Sequence, residues 1–249
     1  MSSRIRNKLA AFIPLIRARG SSQFEVEAAE CSFYLSYLEE GMVVFDVGAY
    51  VGEVTLLFAR FVRPKGQVHS FEASPETFAR LETICRAAGY QNVTLNRTAV
   101  SEKEGEVDFH IYGGELQSWN TRADRPLERY GIHVEKPKLC RISATTVDAY
   151  CERKGIERID LLKVDVEGAE LHVLQGASRM LQEKRIRCCT FEFGQTTFDM
   201  GCTPDAITSW LGKFGYRVRN IISTDPVFPG GNRADRAQFS MHLASYDRL

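Results

Sequence analysis

Asp46 and Glu72 are the residues whose types and spacing first suggest chemistry. Asp46 lies in the run Val43-Val44-Phe45-Asp46-Val47-Gly48-Ala49-Tyr50-Val51-Gly52, where an apolar stretch meets an acid, a glycine and a second glycine four positions later. A helical pattern begins at about Glu53. The run therefore reads as strand, tight turn and helix start, a common seat for a nucleotide-like cofactor in doubly wound α/β folds. A dinucleotide requires G-x-G-x-x-G with little negative charge, because a pyrophosphate must lie against the backbone. The spacing here is D-x-G-x-x-x-G, Asp46 repels a pyrophosphate, and no Gly-Lys-Ser/Thr of a phosphate-binding loop follows. An acid beside a glycine turn suits a ligand with a cationic amine, a carboxylate and no phosphate, a form that S-adenosyl-L-methionine has. Glu72 closes the next apolar run, Gln67–Phe71, where a carboxylate accepts both ribose hydroxyls. The expected cofactor-binding set is thus Asp46, Gly48, Ala49, Tyr50, Gly52, Glu72 and its neighbour Ala73, with Ala99 near the adenine at the end of the third strand. The alternative is a turn merely shaped by its glycines, with Asp46 as a helix-cap neighbour.

A second constellation follows. Asp160-Leu161-Leu162-Lys163-Val164-Asp165-Val166-Glu167-Gly168-Ala169-Glu170-Leu171 sets five charged residues around the end of an otherwise apolar strand. Charges at the carboxyl end of a strand in an open α/β sheet lie in the ligand crevice. The spacing of Lys163 and Asp165 puts both on one face of that strand.

With these motifs the chain resembles the FkbM-type S-adenosylmethionine-dependent methyltransferases. The matching pieces are residues 45–52, Phe71-Glu72-Ala73-Ser74-Pro75, residues 96–101, the run 163–170 with Leu174, Gly176 and Ala177 after it, and Phe191-Glu192. Together they span about residues 41–195. The resemblance implies S-adenosyl-L-methionine as donor, S-adenosyl-L-homocysteine as product, and O-methylation of a sugar, glycan, polyketide or other small metabolite. Tyr50 departs from the pattern, since many relatives carry Asn there and its side-chain amide contact to the methionine part is lost or replaced.

Methyl transfer from a sulfonium is an in-line displacement, so the acceptor oxygen must be held behind the methyl carbon. An alcohol acceptor gains from a base, and Asp165 and Glu192 stand at the ends of strands four and five, with Lys163 able to tune either. These three form the expected catalytic set. In the competing assignment Asp165 binds the cofactor's amine, and Glu167 and Glu170 are a helix-N-terminal charge bias worth a few tenths of a kcal/mol. Asp165, Glu167 and Glu192 offer hard oxygens for a divalent ion, but no tight His/Asp cluster accompanies them, so no metal is expected. His69 and His172 read as structural. His110 and His133 remain as secondary candidates for a base near neutral pH.

The elements that must position these residues follow from periodicity. Helices are expected at 21–40, 53–62, 75–88, 146–154, 169–181 and 204–214, and strands at 43–47, 67–71, 93–95, 159–164, 186–193, 216–222 and 238–244. Residues 105–112 alternate as an edge strand, with 141–145 pairing near it. The alternation predicts one doubly wound Rossmann-like α/β sheet of the class I methyltransferase type, with helices on both faces and a C-terminal β-hairpin. Residues 1–40 read as an N-terminal helical extension and 41–249 as the catalytic domain. Residues 113–138, with Trp119, Tyr130 and His133, read as a lid or substrate insertion.

Composition narrows the partners. Lys+Arg and Asp+Glu both total 32 in 249 residues, and that neutrality argues against a nucleic-acid binder. The basic cluster Arg4, Arg6, Lys8, Arg17 and Arg19 reads as a solvated leader rather than a membrane-surface helix. No signal peptide or membrane span is expected. Seven cysteines without a C-x-x-C pair suggest reduced thiols and a cytoplasmic setting. The expected partner is a small-molecule or glycan acceptor, with a homodimer left open. Competing functions are a non-catalytic S-adenosylmethionine binder and an NAD-dependent nucleotide-sugar oxidoreductase or epimerase. The latter lacks the third glycine, and its Tyr-x-x-x-Lys spacing is met only by Tyr150 and Lys154 in a short helix.

Overall fold

The computed structural model describes residues 21–113, 120–130, 133 and 135–247. The chain opens with α1 (Ser21–Tyr37), β1 (Val43–Val47), α2 (Glu53–Val62), β2 (Gln67–Phe71), α3 (Pro75–Ala88) and β3 (Val93–Asn96). Three strands follow, β4 (Ala99–Val100), β5 (Gly105–Ile111) and β6 (Lys138–Thr145), then α4 (Val147–Lys154) and β7 (Ile159–Val164). The last part holds α5 (Glu170–Gln175), α6 (Ser178–Gln182), β8 (Ile186–Phe193), α7 (Gln195–Asp199), α8 (Pro204–Lys213), β9 (Arg217–Asn220) and β10 (Ser240–Ser245). Helix starts fall where their chemistry puts them. Ser74 and Thr203 cap helices whose first residue is proline, and Thr146 accepts the N–H of Ala149 at 3.0 Å.

Seven strands form one sheet in the order β3-β2-β1-β7-β8-β10-β9. The first five are parallel, and β10 runs antiparallel between β8 and β9. This is the doubly wound sheet with a closing hairpin that the strand pattern predicts. A second sheet, β4-β6-β5, holds the strands expected near 105–112 and 141–145. β5 pairs with β6 along its whole length, from Gly105 with Ala144 to Ile111 with Lys138.

One face of the main sheet packs Val44, Val68, Leu161, Cys188 and Leu243 against Leu57 and Phe58 of α2, Tyr34 and Leu35 of α1, and Leu38 just past it. The other face packs Phe45, Val47, Leu162, Val164 and Phe191 against α4, α5, α6 and α8. The boundary expected at residue 40 does not separate two cores, because α1 shares one with β1 and α2.

The helix expected over 169–181 is two. Gly176 lies so close to β4 that a Cβ there would sit 2.0 Å from the Ser101 carbonyl oxygen. The chain bends, and the Asp148 carboxylate accepts the N–H groups of Arg179 and Met180 at 2.7 and 3.0 Å, capping the new start. All seven cysteines are free thiols, five of them buried. Among the described residues no helix is long and apolar enough to cross a membrane. The basic cluster at residues 4–19 lies outside the described residues.

Candidate active site

Strand register assembles the site in two rows. Ser70, Asp46, Lys163 and Thr190 are in-register partners across β2, β1, β7 and β8. Side chains repeat every two residues along a strand. One step towards the carboxyl ends therefore places Glu72, Gly48, Asp165 and Glu192 on the same face.

The first row is buried, and of its side chains only Lys163 reaches the cavity. Asp46 is fully buried and Lys163 only 3 % exposed. Lys163 Nζ lies 3.1 Å from Asp46 Oδ1 and 3.4 Å from Asp165 Oδ2, and donates to the Gly48 carbonyl at 3.2 Å. Thr55 of α2 donates to Asp46 Oδ2 at 2.6 Å and stands 2.9 Å from Ser70 Oγ. At the far end Tyr34 of α1 stands 3.0 Å from Thr190 Oγ1. Burial alone pulls the Lys163 ammonium down, but the Asp46 and Asp165 carboxylates outweigh it and hold the group above its ordinary value. Asp46, expected from sequence to meet the cofactor, does not line the cavity and faces Lys163 beneath it.

The second row opens into a cavity of about 910 Å³. Gly48 must be glycine there, since its φ is +80° and a Cβ would fall 1.7 Å from the Asp165 carbonyl oxygen. The loop does not offer its amides to a pyrophosphate. Gly48 and Ala49 N–H both donate to the Phe71 carbonyl at 3.0 Å, Gly52 N–H donates to Ala49, and Tyr50 N–H donates to Glu72 Oε2 at 2.9 Å. Glu72 Oε1 accepts Ser74 N–H, also at 2.9 Å. The Glu72 carboxylate is held at the cavity edge with lone pairs to spare, and burial pushes it up to about 7 against those two hydrogen bonds. Gly48, Ala49, Tyr50, Ala73 and Ala99 line the cavity, whereas Gly52 packs its backbone on Leu81 outside it.

Asp165 and Glu192 both line the cavity. Glu192 is 8 % exposed. Burial, then the Glu167, Asp165 and Glu170 carboxylates, hold it well above the ordinary carboxylate range. That bias favours its protonated form over a ready base. Glu170 stands at a helix N-terminus, as expected from sequence, and is buried there, its Oε1 accepting the N–H groups of Val166 at 3.2 Å and Gly168 at 3.0 Å.

Several lining residues escaped sequence reasoning. Glu27, Glu30 and Cys31 of α1 form one wall. The signal was an acid in the apolar stripe of a helix, Glu30 one turn before the buried Tyr34. Arg122 and Arg125 reach in from the insertion, Arg122 bonded to Ser101 and Glu102 at 2.7 and 3.0 Å and Arg125 to Asp199 at 3.3 Å. Thr121 fastens the insertion to the 163–170 motif by donating to the Glu167 carbonyl at 2.7 Å. Phe239, 37 % exposed, lines the cavity from the segment before β10. Trp119 lies outside the described residues. His110 sits 4.0 Å from Asp124 and His133 is exposed, so neither lines the cavity. Tyr150 is buried 2.9 Å from His69 Nδ1, which removes the Tyr-x-x-x-Lys pair from the site.

Residues 46–218 match the family model described as the methyltransferase FkbM domain. The chain belongs to the FkbM methyltransferase family. It is 30 % identical over 242 residues to the 31-O-demethyl-FK506 methyltransferase FkbM of Streptomyces tacrolimicus, covering 85 % of this chain and 87 % of that one. It is also 30 % identical over 151 residues to the 2-O-methyltransferase NoeI of Sinorhizobium fredii and 31 % over 150 to the hexuronic acid methyltransferase AglP of Haloferax volcanii. Those alignments cover 57 % and 59 % of this chain and only 60 % and 55 % of the relatives. A crystal structure of the methyltransferase FkbM from Methylobacillus flagellatus superposes with a TM-score of 0.51 at 15 % identity, covering 96 % of this chain and 59 % of that one.

The family implies S-adenosyl-L-methionine, and the cavity is chemically suited to it. Seven carboxyl side chains line it against three basic ones, an excess that favours a cationic ligand. Among the described residues no group of three or more His, Cys, Asp or Glu is arranged to hold a metal ion.

Proposed function

We propose that this protein transfers a methyl group from S-adenosyl-L-methionine to a hydroxyl of a small polyhydroxylated acceptor, a sugar, glycan or polyketide-type metabolite. The observation that carries the reading is the row Glu72, Gly48, Asp165 and Glu192, which one strand register brings to one cavity. Bound there, the cofactor supplies an electrophilic methyl on a sulfonium. Glu72 is suited to the ribose hydroxyls, Ala99 to the adenine, and the turn 48–50 to the methionine part. Asp165, charge-balanced by Lys163, faces either the cofactor's ammonium or the acceptor, and Glu192 donates its proton in a hydrogen bond. Two of the relatives carry an oxygen position in their names, 2-O and 31-O, which favours oxygen over nitrogen or carbon as the target.

Calorimetry with S-adenosyl-L-homocysteine and NAD, followed by transfer of labelled methyl to a panel of methyl glycosides, uronic acids and macrolide alcohols, tests the reading. Homocysteine-cofactor binding and label on one class of hydroxyl are expected. Stabilisation by NAD alone would sink it. Cofactor binding with no transfer to any alcohol would leave a binding protein instead.

A further inference from the structure

We propose that Glu30, which lies before the family-matched residues 46–218, faces the acceptor rather than the methyl donor and receives the proton of the reacting hydroxyl. The proposal rests on the methyl-transfer reading above. Its first support is height. Tyr34 meets Thr190, and Glu30 is one helical turn away, about 5.4 Å along α1. Glu192 lies two residues beyond Thr190, about 7 Å along β8. Glu30 is bonded to Tyr34 at 2.5 Å and lines the cavity, so it stands at the level of Asp165 and Glu192.

Its second support is lateral position. Glu72 ends β2, and β8 is three strands away, about 14 Å across the sheet. A donor whose ribose is held at Glu72 therefore has Glu30 on its far side, beyond β1 and Lys163.

The third is comparison with the other carboxyls. Asp165 is paired with Lys163, Glu167 lies 4.0 Å from Arg125, burial biases Glu192 towards its protonated form, Glu27 sits three residues further from Tyr34 on α1, Glu170 does not line the cavity, and Glu53 is exposed at the start of α2. Glu30 faces the Tyr34 hydroxyl on its own helix, Lys163 and Asp165 from β7 and its end, and Asp46 from β1. Burial raises its carboxyl to about 7, near the working pH of a general base. In the step, the hydroxyl oxygen bonds to the methyl carbon while the carbon–sulfur bond breaks and returns its electron pair to sulfur. The O–H proton passes to the Glu30 carboxylate and from there to water.

Glu30→Gln keeps the size and an oxygen for Tyr34 but cannot take the proton. Its affinity for S-adenosyl-L-homocysteine is expected within threefold of wild type by calorimetry. With the methyl glycoside or alcohol that wild type methylates best, kcat is expected to fall roughly 100-fold or more with KM little changed, and the acidic limb of the pH profile to disappear. Glu30→Asp should restore part of kcat together with that limb. A Glu30→Gln kcat within threefold of wild type, or a tenfold loss of homocysteine-cofactor affinity at any acceptor, overturns the role of Glu30. Wild type that fails to bind the homocysteine cofactor sinks the methyl-transfer reading instead.

Discussion

The two sides of the cavity are built differently. The side assigned to the donor comes from two consecutive strand ends and the turn between them: β1, β2 and residues 48–50, tied to one another by the Phe71 carbonyl and the Glu72 carboxylate. The side assigned to the acceptor is drawn from α1, the insertion at 120–125, the end of β8 and the segment before β10. Local hydrogen bonds hold the first in shape by itself. The second takes its shape only after distant segments pack, so its residues can change with little effect on the donor turn. Lys163 joins the two sides, touching Asp46 and Gly48 on one and Asp165 on the other.

Breaking that joint should have the largest effect. Lys163→Ala leaves Asp46 charged and fully buried, and is expected to cost about 3–5 kcal/mol in urea unfolding. The double variant Lys163→Ala with Asp46→Asn should recover more than about 1 kcal/mol of this. A single-variant cost below about 1 kcal/mol would mean that the two sides are held together by something else.

Titration separates the sides next. Glu72 and Glu170 have folded-state values near 7, above the ordinary 4.5, so their contribution to stability is present below about 4.5 and lost as pH rises through 7. His69 and His242 are lowered by burial to about 4, so theirs is present above the ordinary 6.5 and lost as pH falls towards 4. Above pH 6.5 the acids act alone. With Glu30, also raised to about 7, these three acids should cost the ligand-free protein about 2 kcal/mol between pH 6.5 and 8, read from urea midpoints, and Glu192 adds to the loss. Glu192→Gln should reduce the slope, because burial and the neighbouring carboxylates hold Glu192 well above the ordinary carboxylate range, while the Glu72 part of the curve stays. An unchanged slope in that variant would place the proton elsewhere.

The smallest effect belongs to the donor turn. Tyr50 has φ +49°, a left-handed conformation that Asn tolerates better than an aromatic residue. Tyr50→Asn is expected to raise stability by up to about 1 kcal/mol in the same unfolding assay. A loss instead would show that the Tyr50 ring packs in the cavity wall strongly enough to outweigh the backbone strain.

Much of the donor side was legible in the chain itself. The glycine turn, the acid closing β2 and the order of strands and helices all follow from period-two and period-3.6 patterns and from turn chemistry, which act over a few residues. Spacing leaves burial open. It reads Asp46 as a ligand contact and Glu170 as a helix-end charge, but it does not say whether an acid is met by Lys163 or by the Val166 and Gly168 amides. α1 looked like an appendage because its partners, Val44, Leu161, Cys188 and Leu243, are spread over the length of the chain.

By itself, then, the sequence determined the doubly wound sheet, the turn and the acids at the strand ends, since local propensity and side-chain alternation suffice for them. Only the tertiary structure decided which of those acids are neutralised, which keep a proton and which open into the cavity. Those properties depend on burial and on charges that separate elements bring within a few ångströms, and register across β2, β1, β7 and β8 is what sets that distance.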